Sequence, residues 1–158
     1  MKQVRDVELT AGTGFDEFFR SEVEGQVRRA TLLLGSPDTA NDVVQEAFTQ
    51  IYSRWALVSE PGPYLNRVVL NGCRDHWRRR DAERRVLPRL VDREASDPQV
   101  DPLGDILASL PFNQRAAVVL RYWGGLSTRQ IAEELDCAPG SVGPWIDRAL
   151  KKMRKVLA

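Results

Sequence analysis

Apolar residues recur at helical spacing along most of the chain, and no stretch shows a sustained β alternation. Phe15, Phe18, Phe19, Val23, Val27, Ala30 and Leu34 form the stripe of a first helix. Thr13 can cap that helix and Gly35 stands where it stops, which leaves residues 1–12 as a loose lead-in. Ser36-Pro37 offers a new N-cap and first-turn proline. The next helix, about Asp38 to Trp55, turns Val44, Ala47, Phe48, Ile51 and Trp55 inward and Asp42, Gln45, Glu46 and Thr49 outward. Pro61, Gly62 and Pro63 punctuate the chain. A third helix, about Tyr64 to Asp81, carries Leu65, Val68, Val69, Gly72 and His76 on one arc. Arg67, Asn71, Arg74 and Arg78 fall within about 60° on the other side, flanked by Leu70 and Trp77.

Periodicity then dissolves in DAERRVLPRLVDREASDPQVDP, whose prolines and mixed charges are linker chemistry, although Leu87 to Leu90 could form a helical turn. Ile106 to Leu110 opens the second half. Pro111 begins a helix with Phe112, Ala116, Val119, Leu120 and Trp123 on one face, closed by Gly124-Gly125. Leu126 to Leu157 then reads as helix, turn and helix. Ser127 and Gln130 have capping-box spacing, and Ile131, Ala132 and Leu135 give the first helix its apolar face. Asp136 and Cys137 make the turn, and Pro139 suits the first position of the second helix. There Val142, Ile146, Ala149, Leu150 and Met153 face inward, and Ser141, Trp145, Arg148, Lys152 and Lys155 face outward. Gly143-Pro144 interrupts this last helix, predicting a kink or a regular part that starts late. The pattern as a whole predicts an all-α chain of two small helical domains, 13–81 and 105–158, joined by a flexible linker over 82–104.

Composition sharpens that division. The formal net charge of +1 conceals an acidic front and a basic back. Residues 1–60 hold six Lys/Arg against ten Asp/Glu, and the remainder holds 17 against 12. Two halves of opposite character suit different partners. Arginines match phosphate geometry and an asparagine among them can reach a base edge, while Trp77 offers a face for an unpaired base. Arg148, Lys151, Lys152, Arg154 and Lys155 suit phosphate contacts, though a helix C-terminus also favours positive charge. The acidic Asp42/Gln45/Glu46 face is unsuited to DNA and could meet a basic protein or simply be solvated. No phosphate-cradling glycine loop, nucleophile motif or metal-ligand spacing is present. No enzyme activity, cofactor or metal is therefore expected. Cys73 and Cys137 lack Cys/His companions and read as two buried thiols. No apolar run approaches a membrane span, so no membrane insertion and a cytoplasmic location are expected.

Together these stretches resemble the bacterial RNA polymerase sigma factors, specifically the two-domain extracytoplasmic-function (ECF) group, over roughly Phe15 to Leu157. LLLGSPDTANDVVQEAFTQIYSRW is similar to the family's region 2, with its D-x-V-Q-E-x-F core at Asp42, Val44, Gln45, Glu46 and Phe48. PYLNRVVLNGCRDHWRRR resembles the part that melts and reads the minus-ten element. LPFNQRAAVVLRYWGGLSTRQIAEEL, followed by GSV and RAL, resembles region 4, which reads the minus-thirty-five element.

The resemblance implies roles. Asp42, Gln45, Glu46, Phe48 and Thr49 would lie on or beneath the surface that grips the beta-prime clamp helices of core RNA polymerase, with region 4 meeting the beta flap. Asn71 would hold a base pulled from the non-template strand, with Arg67, Arg74, Trp77, Arg78 and Arg79 following the adjacent backbone. Ser141, Trp145, Arg148, Lys151 and Lys152 would meet the minus-thirty-five duplex. Promoter DNA and core polymerase are the implied partners, and an anti-sigma factor is implied by analogy. Gly143, Pro144 and Trp145 depart from the family's usual lysine, serine and arginine, and Ala138 replaces a usual capping serine. Leu70 stands where many relatives carry a basic residue. Two other readings stay open: a helix-turn-helix regulator acting without polymerase, and a sigma-like interaction protein with impaired promoter reading.

Overall fold

The computed structural model describes residues 2–86 and 102–157, with side chains described over 14–83 and 102–157. Seven α-helices follow in order: α1 (Lys2–Leu34), α2 (Pro37–Ser53), α3 (Pro61–Val86), α4 (Pro102–Ser109), α5 (Phe112–Tyr122), α6 (Thr128–Leu135) and α7 (Pro139–Leu157). A 3-10 turn, Trp55–Leu57, separates α2 from α3. No strand occurs among the described residues, in line with the all-α expectation.

The α1–α2 junction follows the predicted punctuation. Gly35 takes φ +75°, a left-handed conformation that favours glycine and ends α1. The Ser36 hydroxyl then accepts from the Thr39 amide at 3.3 Å, with Pro37 as the first helical residue. Two helices run longer than the sequence pattern predicts. α1 runs from Lys2 straight through Thr13, so Thr13 is not a cap and residues 2–12 are helical. α3 starts at Pro61 and continues to Val86, about one turn beyond the predicted end. The predicted turn at Leu87–Leu90 and the rest of the linker through 101 lie outside the described residues.

α1, α2 and α3 pack as a three-helix bundle, and α5, α6 and α7 as a second. Val44, Ala47, Phe48 and Ile51 of α2 are buried, as are Leu65, Val69, Leu70 and Cys73 of α3. At Gly72 the helices approach so closely that an added Cβ would sit 2.8 Å from Val43 Cγ1. In the second bundle Ile131, Ala132, Leu135, Val142, Ile146 and Ala149 close over α5. Trp123, predicted inward, is instead 45% exposed just past the end of α5.

The two bundles share one continuous apolar core. α4 and α5 rest on α1, and α6 touches α3. At their junction lies Arg115, 1% exposed. Its Nη1 donates to the Leu33 carbonyl at 2.7 Å, crossing between the bundles. Its Nη2 donates to the Ala108 and Leu110 carbonyls at 2.9 and 2.8 Å, and its Nε to the Leu107 carbonyl. The last carbonyls of a helix lack intrahelical partners and carry the negative end of its dipole. One guanidinium thus caps the ends of α1 and α4 together.

Candidate polymerase and promoter interfaces

On α2, Asp42, Gln45, Glu46 and Thr49 are all exposed on one side of the helix. The Thr49 hydroxyl donates back to the Gln45 carbonyl at 2.9 Å. Phe48 is 3% exposed and lies beneath this surface, with its ring centroid 4.8 Å from Phe19 and 6.1 Å from Phe18. The side chain therefore supports the acidic face rather than forming part of it. Tyr52, 62% exposed, extends the aromatic cluster to the surface through Phe15, 5.0 Å away between centroids.

On α3, Arg67, Asn71, Arg78 and Arg79 are exposed and Arg74 is half-buried. These residues address three different grooves. Asn71 and Arg79 line one between α2 and α3 with Asp42, Glu46, Asp75 and His76. Arg67 lines a second with Arg54, Leu57, Glu60 and Tyr64. Arg74 and Arg78 line a third, between the bundles, with Phe112, Leu135 and Trp145. Arg74 Nη2 donates to the Leu135 carbonyl at 3.3 Å, and its guanidinium lies 5.9 Å from the Phe112 ring centroid. Trp77 departs from its expected role as an open stacking face. It is 9% exposed, its indole N–H donates to the Leu33 carbonyl at 2.9 Å, and the Arg115 guanidinium stands 4.0 Å over its ring. The amphipathic indole packs its ring in the core while its polar edge finds an acceptor.

The helix-turn-helix is built as its caps predict. Ser127 Oγ accepts from the Gln130 amide at 3.2 Å, and Gln130 Oε1 accepts from the Ser127 amide at 2.9 Å. Asp136 turns the chain with φ 52°. α7 begins at Pro139 and stays helical through Pro144, so the regular part does not start late. Arg148, Lys151 and Lys152 are exposed, Ser141 and Trp145 half-buried. Trp145 faces the groove between the bundles in this arrangement.

Residues 19–83 match the family description Sigma-70 region 2, and residues 101–153 match Sigma-70, region 4. The RNA polymerase sigma-E factor of Streptomyces coelicolor is 32% identical over 151 residues, covering 90% of this chain and 85% of that one. This chain belongs to the ECF sigma factors. As a sigma factor it binds core RNA polymerase and directs promoter-specific transcription initiation. It is also similar to the ECF RNA polymerase sigma factor SigM of Mycobacterium tuberculosis, at 29% identity over 90% of this chain and 76% of that one. The fold matches the sigma factor RpoE in complex with the anti-sigma factor NepR from Bartonella quintana, with TM-score 0.72, 20% identity and coverage of 91% and 96%. It also matches CnrH in complex with the cytosolic domain of CnrY, with TM-score 0.67, 24% identity and coverage of 97% and 96%.

The shifted titratable groups near these surfaces owe their shifts first to burial. Burial pushes the Cys73 thiol up to about 12, leaving it protonated. Cys137 is half-buried rather than fully buried, and its thiol is also raised, first by burial and then by Asp136, against Arg74. Burial lowers His76, with Arg80 and Arg79 adding to the effect and Glu83 opposing it, so the imidazole is neutral at physiological pH. Among the described residues no cluster of three His, Cys, Asp or Glu could hold a metal, and no helix is long and apolar enough to cross a membrane. Arg115 escapes composition and motif reasoning. Its available signal is position, since Phe112, Arg115, Ala116 and Val119 share one helical face of α5.

Proposed function

We propose that this sigma factor divides its work between the acidic face of α2, the polar stripe of α3 and the basic face of α7. Asp42, Gln45, Glu46 and Thr49, supported by Phe48, take the polymerase clamp helices. Asn71 holds an unpaired base of the minus-ten element. Arg67, Arg74, Arg78 and Arg79 neutralise the backbone around it. Ser141, Arg148, Lys151 and Lys152 contact the minus-thirty-five duplex, with region 4 seated on the beta flap. Trp145 joins that surface, whereas Trp77 supports the minus-ten surface from within the core.

The observation that carries this reading is the juxtaposition on one three-helix bundle. Asn71 and Arg79 share a groove with Asp42 and Glu46. A strand held by α3 would therefore run beside a protein held by α2. Unstacking a base costs a few kcal/mol, so a pocket held by a large assembly must compensate. A free helix-turn-helix regulator would leave the α2 face without a use.

The factor itself performs no chemistry; nucleotide transfer belongs to the polymerase. Its place of action is accordingly the cytoplasm, with the chromosome. An anti-sigma protein is its natural regulator, by analogy with the sigma factor RpoE of Bartonella quintana in its complex with the anti-sigma factor NepR. Run-off transcription from promoter libraries, with core polymerase and this chain as its only sigma factor, tests the reading. Promoter-dependent transcripts are expected. A stable core complex that yields none would favour the interaction-protein alternative, and tight binding to free duplex without core would favour the regulator.

A further inference from the structure

The groove bordered by α3, the start of α5, the α6–α7 turn and α7 has a volume of about 540 Å³, within the ordinary range of small-molecule sites. Its walls combine three chemistries. Arg74 and Arg78 stand on the α3 side, one helical turn apart. The Arg74 guanidinium is positioned by its bond to the Leu135 carbonyl and by the Phe112 ring. That bond uses only one of its five N–H donors. Arg78 is exposed, and among the described residues it forms no ion pair. Phe112 and Trp145 supply aromatic faces that are only half-buried. Asp81 and Asp136 add two exposed carboxylates to the same groove.

We propose that this groove is a binding site for a purine nucleoside diphosphate. Guanidinium forks pair with phosphate oxygens through two N–H donors at a time, and two arginines a turn apart suit two linked phosphates. A planar base stacks on an indole or phenyl face whatever its sequence context, which gives Trp145 and Phe112 their part. The carboxylates would repel phosphate, but a carboxylate accepts readily from the exocyclic amine of a base. Opposite charges on the walls thus sort the two ends of a nucleotide. A simple anion would leave the aromatic faces and carboxylates unused, and an uncharged aromatic molecule would leave the arginines unused. A bound nucleotide would also hold Arg74 and Arg78 away from the minus-ten backbone. That consequence rests on the role proposed for these arginines, whereas binding itself is measured with neither polymerase nor DNA present.

The test titrates the full chain with GDP by calorimetry. Saturable one-to-one binding is expected. Arg78→Ala should weaken it about tenfold, the scale of one lost charge-assisted bond. Trp145→Ala should cost about as much through the lost stacking face, and Trp145→Phe should recover most of that loss. Arg129→Ala removes an equal charge from the exposed surface of α6, outside the groove, and should bind as the parent does. Pyrophosphate and guanosine each carry one part of the ligand, and each should bind at least about tenfold more weakly than GDP by the same reckoning. Photo-cross-linking of the parent with an azido derivative of GDP keeps the test independent of how any variant folds. Peptide mapping should find the label on Phe112, Trp145 or their immediate neighbours. The site is overturned if GDP does not bind, or if pyrophosphate binds as tightly as GDP. It is equally overturned if Arg129→Ala and Arg78→Ala lose affinity alike, or if the label lies outside the groove.

Discussion

A buried guanidinium is tolerated only when its donors find acceptors, and Arg115 finds them at the ends of α1 and α4, the Leu33 carbonyl lying 82 residues away from it in sequence. Substituting Arg115→Met would leave those carbonyls facing an apolar side chain. Unsatisfied buried groups cost about 1–3 kcal/mol each, with strong non-additivity. The unfolding free energy should therefore fall by at least ~3 kcal/mol. Arg115→Lys keeps the charge but not the planar fork, and should lose roughly half as much as Arg115→Met by that argument. Urea unfolding followed by circular dichroism measures both; equal losses would show that charge, not geometry, matters at this position. A second residue-scale contrast concerns function. Asn71→Ala removes a group assigned to a base, whereas Gln45→Ala with Glu46→Ala removes groups assigned to the clamp. The first should lower open-complex formation about tenfold with core affinity kept, on the scale of a lost base contact. The double variant should weaken core affinity itself. Permanganate footprinting and core-binding titrations separate the two, and identical effects would refute the division.

At the scale of elements, local signals and distant packing separate cleanly. The α6 cap, the glycine stop of α1 and the proline starts of α2 and α7 depend on residues within one turn, so spacing alone reveals them. The buried stripe of α2 is equally legible, because Val44, Ala47, Phe48 and Ile51 need only helical periodicity. Trp77 and Arg115 are different. Each occupies its place through the Leu33 carbonyl on another helix, information that no local window contains. The start of α1 was obscured by Gly12 and Gly14, which lower helix propensity without forbidding helix. Pro144 shows the converse, a strong local breaker overruled by its surroundings. Val142, Ile146 and Ala149 are buried on the same helix, and that packing holds α7 continuous despite the missing amide. The strain should still be measurable. Pro144→Ala restores a donor within α7 and should stabilise the chain by ~1–2 kcal/mol, the helix gain less the entropy returned to the unfolded chain. Thermal unfolding checks this, and a loss of stability would mean that α7 depends on the proline.

At the scale of the whole molecule, the two bundles are joined through a buried arginine and burdened by one enclosed carboxylate, which gives stability a pH dependence of definite sign. Burial holds the Glu134 carboxyl above its ordinary 4.5, and the attraction of Arg29 and Arg67 reverses only part of that shift. The charged form is therefore penalised in the folded chain relative to the unfolded one, where the carboxyl is hydrated. Below its ordinary value the group is protonated in both states and its contribution to stability is fully present. As pH rises through the raised value, that contribution is lost. Glu134→Gln has no proton to lose, so its unfolding free energy should match the parent at low pH and exceed it increasingly as pH rises through this window. Urea unfolding of both proteins across a pH series measures the difference. A gap that stays constant with pH would assign the response to another group, leaving Glu134 a bystander at the bundle boundary.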